Sequence, residues 1–156
     1  MICAVWLLML DIMFFCSNLV TFLPTTEDAM QTFRHSPGKP DVVGFYDMRT
    51  SSVQYVVSDP VTRRCAIIDP VLDFDEKSGA IATHHANELL GYVASQGLKV
   101  EWILDTHPHA DHFSAAQYLK EKTGAPTAIG AYVTQVQAIW KDIYNWPDFP
   151  DDGRQW

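Results

Sequence analysis

The sequence predicts an α/β domain in which a β-meander is followed by alternating helices and strands. Three runs rich in β-branched and aromatic residues lie close together between residues 42 and 69, as expected for a meander. Apolar residues then recur at helical spacing, and a strand-like run and further helix-like runs follow. No glycine-rich turn follows the first predicted strand, which argues against a dinucleotide-binding fold.

The meander is predicted to begin near Val42 and to contain one hairpin. Its strands are expected at residues 43–46, 52–57 and 64–69. Residues 48–51 form the hairpin turn, and Pro70 ends the third strand because proline has no N–H to give to a β-ladder. Residues 71–80 are acidic and small, and we therefore expect a loop there.

The second part of the chain is predicted to alternate between helix and strand. We expect helices at residues 80–96, 114–123 and 133–140, and strands at residues 99–105 and 127–129. Gly97 and Gly124 supply the C-terminal stops of the first two helices. Phe113, Ala116 and Leu119 are predicted to form the inner face of the second helix.

The composition is that of a single globular domain. The chain has 156 residues, of which 47% are apolar and 19% charged, enough to bury a core. Its formal net charge of -8 argues against nucleic acid as a partner, because phosphate neutralisation needs a basic surface. Cys3, Cys16 and Cys65 are widely spaced and form no CxxC pair. Reduced or buried thiols are therefore favoured over a disulfide framework or a cysteine metal site.

Residues 1–23 are almost wholly apolar and precede a predicted linker at 24–41 and a predicted domain at 42–156. Three interpretations stay open: a membrane anchor or atypical signal, an apolar segment without a targeting role, and an artefact of an upstream start codon. The lack of any basic residue before Arg34 disfavours an ordinary signal peptide. The artefact interpretation implies a cytoplasmic protein, whereas the anchor interpretation implies a membrane-associated or exported one.

The segment from Thr106 to His112 carries the strongest functional signal in the chain. His107, His109, Asp111 and His112 fall within six consecutive residues, between a strand-like and a helix-like run. Such a turn lies at the carboxyl end of a strand, where open sheets usually build their sites. Imidazole nitrogen and carboxylate oxygen are ligands that zinc and non-haem iron accept, so the turn predicts a site for one or two metal ions.

This turn resembles the HxHxDH signature of the metallo-β-lactamase superfamily. The resemblance covers about residues 42–140. Residues 67–72 are similar to the family's early strand and acidic turn, and residues 98–107 to its approach strand. Together with residues 115–119, the sequence is most similar to the glyoxalase II-like and persulfide dioxygenase-like branch. The resemblance implies the N-terminal half of an αββα sandwich, with a metal site at one edge of the sheet.

The resemblance also implies roles for single residues. In glyoxalase II-like proteins, His107 and His109 would bind a first metal, and Asp111 and His112 a second. In persulfide dioxygenases one Fe(II) binds, and His107 is the only direct ligand from this motif. Asp69 matches an aspartate that supports the ligand loop by hydrogen bonds, although an Asp-Pro turn explains it equally well. Asp111 is also the candidate catalytic residue.

Two reactions are implied for a full-length enzyme with Fe(II) or zinc, both on a small glutathione thiol derivative. An Fe(II) centre would bind O2 and oxidise glutathione persulfide to sulfite. A zinc-type centre would use metal-bound hydroxide to attack a glutathione thioester. The sequence of the Asp69-Pro70-Val71-Leu72 turn and of the approach strand favours the dioxygenase.

The chain departs from the family pattern after the motif. The family completes its site with a later histidine and a later aspartate, yet no histidine follows His112. A third hypothesis is therefore a truncated, non-catalytic fragment. The remaining histidines are interpreted as surface or capping residues: His35, His84 and His85. The later aspartates are interpreted as solvated: Asp142, Asp148, Asp151 and Asp152. Trp140, Trp146 and Trp156 are interpreted as an exposed apolar patch.

Overall fold

The structure, a computed structural model, describes the backbone of Met30–Phe33 and all of residues 38–156. The strands are β1 (Met30–Phe33), β2 (Asp41–Asp47), β3 (Ser52–Ser58), β4 (Arg64–Ile68), β5 (Val71–Phe74), β6 (Ile81–Ala82), β7 (Lys99–Asp105), β8 (Phe113–Ser114) and β9 (Thr127–Ile129). The helices are α1 (His84–Ser95), α2 (Ala116–Thr123) and α3 (Val133–Ile143). This mixed α/β arrangement matches part of the fold expected from the sequence.

The strands form two sheets. The larger has six strands in the order β1-β2-β3-β4-β7-β9, and the smaller has three in the order β6-β5-β8. Strands β1 to β4 pair antiparallel, whereas β4, β7 and β9 pair parallel. The carboxyl ends of β2, β4, β7 and β9 therefore lie at one edge of the large sheet, together with the first residue of β3.

One face of the large sheet carries the main core. Ile67 and Ile103, from the paired strands β4 and β7, are fully buried there. Leu89 of α1 and Leu119 of α2 are also fully buried and belong to the same cluster, so both helices cover this face. The ring of Phe45 meets that of Tyr92 edge to face, at 5.4 Å between centroids, which fixes α1 against β2.

A smaller cluster lies on the opposite face of the same sheet. It contains Val57, Ile68 and Leu104, each of which directly follows a residue of the main core along its strand. Successive side chains of a strand point to opposite faces, so these strands are apolar on both sides. Such continuous apolar strands are typical of the buried sheet of a layered α/β fold.

Most predicted elements are confirmed. The hairpin and the third strand of the meander form as β2, β3 and β4, and β7 has the predicted bounds. Helix α1 begins four residues later than expected, at His84. Cys65 is a buried free cysteine, as predicted, and burial together with the nearby Glu101 raises the pKa of its thiol to about 11. Cys3 and Cys16 lie outside the described residues.

Three predictions about the local structure are wrong. The predicted loop at 71–80 contains β5, because Val71 and Leu72 pair with Ser114 and Phe113 some 40 residues away. Phe113 consequently belongs to β8 and is 55% exposed, rather than lying on the inner face of α2. The predicted linker at 24–41 contains β1, which pairs antiparallel with β2.

The predicted N-terminal apolar segment, residues 1–23, lies outside the described residues. None of the helices within residues 38–156 is long and apolar enough to cross a membrane.

Candidate metal centre

The histidine turn begins where β7 ends, at the sheet edge that collects the carboxyl ends of β2, β4 and β7. Asp69 follows β4 and its backbone N–H donates to the carbonyl of Leu104 at 2.8 Å, so the Asp-Pro turn lies against the end of β7. Asp69 has a φ of +51°, a left-handed conformation that aspartate tolerates better than most residues. This conformation turns the chain at the point where its carboxylate meets the histidine turn.

Asp69 anchors the start of the turn. Its carboxylate accepts hydrogen bonds from the backbone N–H of Thr106 at 2.7 Å and from the Thr106 hydroxyl at 2.8 Å. It also accepts one from Nε2 of His109 at 3.0 Å. These are contacts that a loop-supporting aspartate requires, while its role toward a bound metal stays a prediction.

Three predicted ligands converge into one group. The ligand atoms of His109, Asp111 and His112 all lie within 4.8 Å of one another. Nε2 of His109 is hydrogen-bonded to Asp69. The other ring nitrogen of His109, Nδ1, therefore faces Asp111 and lies 3.9 Å from Oδ1 of that residue. The side chains of His109 and His112 are 6% and 1% exposed, whereas that of Asp111 is 54% exposed. The group therefore has a buried imidazole side and an open carboxylate side.

The chemistry of His112 fits a metal ion. Its Nε2 is buried and has no hydrogen-bond partner among the described residues. A buried nitrogen without a partner costs free energy, which binding of a cation to its lone pair would recover. Its Nδ1 lies 3.2 Å from the hydroxyl oxygen of Ser52 and 3.4 Å from Oδ1 of Asp111. The imidazole ring of His112 is thus held through Nδ1, and its Nε2 remains available to bind a metal ion.

A second group is composed of Asp69, Asp105 and His109. Its carboxylates already have partners, because Asp105 accepts from the hydroxyl of Ser114 at 2.9 Å and from the indole N–H of Trp156 at 3.1 Å. Burial raises the pKa of Asp105 above its ordinary value and outweighs these hydrogen bonds. Because the carboxylates of this group are already engaged and it offers no buried nitrogen without a partner, the first group is the better candidate.

His107, which the sequence predicts as a direct ligand, belongs to neither group. It is exposed, and its Nδ1 lies 2.8 Å from the hydroxyl of Thr106. The rings of His107 and His109 are 4.4 Å apart between centroids, so His107 is adjacent to the group without belonging to it. Its role as a ligand stays a prediction.

The surroundings of the group shift the pKa values of its members in different directions. Burial lowers the pKa of His112, and the nearby His109 lowers it further. Burial also opposes protonation of His109, yet the hydrogen bond and charge of Asp69 outweigh it and raise the pKa of His109. For Asp111, burial raises the pKa, but the hydroxyl of Ser52 and other hydrogen bonds lower it more. A neutral His112 and an ionised Asp111 are the forms in which these residues bind metals.

The group opens into a cavity of about 400 Å3. Phe74 and Phe113 form part of its wall and meet edge to face, with ring centroids 5.0 Å apart. Arg49 supplies a positive charge to the lining, and its guanidinium lies 3.6 Å from the carboxylate of Asp75. The volume suits a small molecule, as the sequence predicts for the substrate.

Sequence reasoning missed a cluster beside this cavity. Asp73 accepts hydrogen bonds from the backbone N–H of His85, at 3.2 Å, and from its ring Nδ1. Nε2 of His85 lies 3.5 Å from Asp47, which is 2% exposed. Asp73 thus satisfies a free N–H in the first turn of α1, and His85 joins two aspartates instead of lying free at the surface. Twelve residues separate His85 from Asp73, and no local pattern marks their contact.

The other sequence assignments have mixed outcomes. His84 is exposed, and His35 lies outside the described residues. The four later aspartates are all exposed, as predicted: Asp142, Asp148, Asp151 and Asp152. Trp140 and Trp146 are 45% and 56% exposed. Trp156 does not belong to an exposed patch with them, because its indole N–H donates a hydrogen bond to Asp105.

A family model described as the metallo-beta-lactamase superfamily matches residues 48–136, more than half of the chain. The chain belongs to the metallo-beta-lactamase superfamily. The match includes the hairpin turn, the Asp69 turn and the whole histidine turn, so the candidate centre lies inside the family region. Members of this superfamily typically bind metal ions, in agreement with the grouping of His109, Asp111 and His112.

Similar proteins include the beta-lactamase hydrolase-like protein of Xylella fastidiosa, 70% identical over 117 residues, which are 75% of this chain and 27% of that protein. Glyoxylase B2 of Dictyostelium discoideum is 42% identical over 113 residues, 71% of this chain and 39% of that protein. The crystal structure of ETHE1 from Myxococcus xanthus has 32% identity and a TM-score of 0.45, covering 54% of this chain and 32% of that one. The chain therefore spans roughly a quarter to two fifths of the length of these curated relatives.

Proposed function

We propose that the protein is a metal-dependent enzyme that oxidises glutathione persulfide with O2 at an Fe(II) ion. In this reaction the persulfide, O2 and one water give glutathione, sulfite and two protons, so that the terminal sulfur is oxidised and O2 is reduced. The observation that carries the proposal is the group of His109, Asp111 and His112, with the bare, buried Nε2 of His112.

Two features support this branch of the family. The Asp69 turn and the end of β7, whose sequences resemble persulfide dioxygenases, lie side by side at the centre, joined by the bond from Asp69 to Leu104. The lining of the cavity next to them includes Arg49, a cation that would pair with a carboxylate of a glutathione derivative, among the acidic side chains of Asp47, Asp73, Glu76 and Asp111. Electrostatic attraction matters here because the chain as a whole is acidic.

The residues of the chain have separate tasks in this proposal. Nδ1 of His109, the carboxylate of Asp111 and Nε2 of His112 would hold the metal ion, a ligand set that departs from the persulfide dioxygenase pattern, in which His107 is the only direct ligand from this motif. A bound Fe(II) ion supplies the redox chemistry with O2, which protein side chains do not offer. Asp69 keeps the ligand turn in place through Thr106, and Phe74 and Phe113 form an apolar part of the cavity wall. Arg49 would orient the substrate.

Thioester hydrolysis is the second candidate. One observation favours it specifically: the structure groups Asp111 and His112, the pair that corresponds to the second metal of glyoxalase II-like proteins, and leaves His107 outside. The name of the Dictyostelium discoideum relative, glyoxylase B2, agrees with this candidate. In this reaction a glutathione thioester and water would give glutathione and a carboxylic acid, with zinc as the metal.

One experiment separates the two reactions. The purified chain is loaded with Fe(II) under anaerobic conditions or with Zn(II), and its bound metal is counted. Sulfite formation from glutathione persulfide with O2 uptake is expected for the Fe(II) form. Release of glutathione from lactoylglutathione by the Zn(II) form, without sulfite formation, would instead favour the hydrolase.

His112→Ala is expected to remove the metal-binding nitrogen and lower the activity by about 100-fold or more. The matched control is His84→Ala, which removes an exposed imidazole outside the centre and should keep wild-type activity. A chain that binds neither metal and converts neither substrate would contradict the proposal and favour a non-catalytic chain.

A further inference from the structure

Ser52 touches two members of the candidate centre, although no motif in the sequence marks it. Its hydroxyl oxygen lies 3.0 Å from Oδ2 of Asp111 and 3.2 Å from Nδ1 of His112. Ser52 is the first residue of β3, on the hairpin, some 60 residues before these partners in the chain. It therefore reaches the histidine turn from a different part of the sheet.

We propose that Ser52 is a positioning residue that fixes the orientation of Asp111 and His112, so that both present their free ligand atoms to one metal ion. This inference rests on the metal centre of the proposed function, and it adds a residue from the hairpin to that centre.

The positions of the hydrogens follow from the chemistry of the three groups. An aspartate is ionised at neutral pH and only accepts, so the single hydroxyl hydrogen of Ser52 goes to Asp111. The contact between Ser52 and Nδ1 of His112 then needs its hydrogen from the imidazole. A neutral His112 is therefore protonated on Nδ1, and the lone pair lies on Nε2.

This tautomer agrees with an independent feature of the structure. Nε2 of His112 is the buried atom without a hydrogen-bond partner among the described residues. Imidazoles that bind metals through one nitrogen usually donate the other N–H to a protein group, which fixes both the tautomer and the ring orientation. Ser52 takes the place of that protein group for His112, and it orients the carboxylate of Asp111 at the same time.

Ser52 is itself held in place by the hairpin turn. The hydroxyl of Thr50 lies 2.9 Å from that of Ser52 and 2.7 Å from Oδ2 of Asp47. Asp47 also accepts the backbone N–H of Arg49 at 3.0 Å. The single hydroxyl hydrogen of Thr50 goes to the ionised carboxylate of Asp47, so Thr50 lies against the oxygen of Ser52 without donating to it. Ser52 donates to Asp111 and accepts from His112, and these two bonds set the orientation of its hydroxyl.

The test compares Ser52→Ala with Ser52→Thr, which keeps the hydroxyl, and with Ser58→Ala, which removes a buried hydroxyl at the opposite end of the same strand. The tautomer of His112 is read from the ring nitrogen shifts in NMR spectra of the full, metal-free chain at about pH 8, where histidine is ordinarily neutral. Zn²⁺ affinity is measured separately by titration, and thermal unfolding checks that each variant folds.

We expect the Nδ1-protonated tautomer in the wild type, in Ser52→Thr and in Ser58→Ala. Ser52→Ala should shift His112 toward protonation on Nε2 and weaken Zn²⁺ binding by about 10- to 100-fold, the range for loss of a group that orients a ligand. An equal loss of affinity in Ser58→Ala would indicate a general structural effect and overturn the proposal.

A wild-type protein in which His112 is protonated on Nε2 would also overturn the proposal. This measurement needs no variant, so it tests the proposal even if Ser52→Ala fails to fold. Failure of the proposed function has a different signature. A wild type that binds no Zn²⁺ or Fe²⁺ contradicts the metal centre, while the tautomer of the metal-free chain still reports on the orientation that Ser52 imposes.

Discussion

At the scale of single residues, the buried carboxylate of Asp47 joins the hairpin turn to helix α1. It accepts hydrogen bonds from Arg49 and Thr50 on one side and lies 3.5 Å from His85 on the other. Burial raises the pKa of Asp47, but the hydroxyl of Thr50, the N–H of Arg49 and the charge of His85 together lower it below the ordinary 3.8. The ionised form is thus stabilised in the folded protein.

Asp47→Asn is expected to lower the free energy of unfolding at neutral pH by about 2 kcal/mol, because hydrogen bonds to a charged group are lost. Since the folded pKa is depressed, this contribution is complete above the ordinary pKa and disappears as the pH falls through the folded pKa. Chemical unfolding of both proteins between about pH 3 and pH 7 should therefore give a difference that is constant above about pH 5 and shrinks below about pH 4.

The control is Asp148→Asn, which changes an exposed loop residue and should alter stability by less than about 0.5 kcal/mol. A difference between wild type and Asp47→Asn that grows as the pH falls would contradict the depressed pKa.

At the scale of elements, helix α2 ends in a conformation that glycine adopts easily. Gly124 has a φ of +72°, and its N–H donates to the carbonyl of Lys120, which closes the last turn. Gly91 lies within α1, and an added Cβ would contact nothing within 4 Å at either glycine. The two positions therefore differ in backbone conformation and not in the space available.

Gly124→Ala should destabilise the protein by about 1 kcal/mol, because a left-handed conformation is strained for a residue with a Cβ. Gly91→Ala should stabilise it by about 0.5–1 kcal/mol, because alanine loses less conformational freedom in a helix. Denaturant unfolding of the two variants measures both values. Two effects of the same sign would contradict this account.

The elements also differ in how far the sequence could predict them. Strand β7 was predicted with its bounds because alternation and flanking breakers are local signals. Strand β5 is missed because it is only four residues long, stands directly before an acidic run, and is stabilised by pairing with β8, a contact that no local window of sequence contains. The same reason applies to the site. The histidine turn can be predicted because its ligands are close together in the sequence. Ser52, Asp73 and His85 cannot, because they contact the site or its surroundings only through distant segments of the chain.

At the scale of the whole molecule, metal binding at the candidate centre is expected to be coupled to folding. The turn that carries His109 and His112 is tied to β4 through Asp69 and to the hairpin through Ser52. A metal ion that binds this arrangement, and binds the unfolded chain weakly, must stabilise the fold. We therefore expect metal binding to depend on the correct folding of three parts of the sheet edge: the histidine turn, the end of β4 and the hairpin.

Metal at 100 times its dissociation constant should add about 2.7 kcal/mol to the free energy of unfolding. For a domain of this size, the melting temperature should rise by about 5–10 °C and fall again when a chelator removes the metal. Calorimetric scans with Zn²⁺, without it, and with Zn²⁺ plus chelator measure the change. His112→Ala should melt at the same temperature with and without Zn²⁺, and a Zn²⁺-dependent rise in that variant would place the stabilising ion elsewhere.

The parallel pairing of β4 with β7 has a consequence for the order of folding. The hairpin of β2 and β3 joins neighbouring residues, whereas β4 and β7 must close a segment of about 30 residues between Ile68 and Lys99 before they pair. Contacts between distant segments form more slowly than local ones. In pulse-labelling experiments, we expect the amides of β3 to gain protection from hydrogen exchange earlier in refolding than those of β7. The candidate metal centre would then be completed late on the folding pathway.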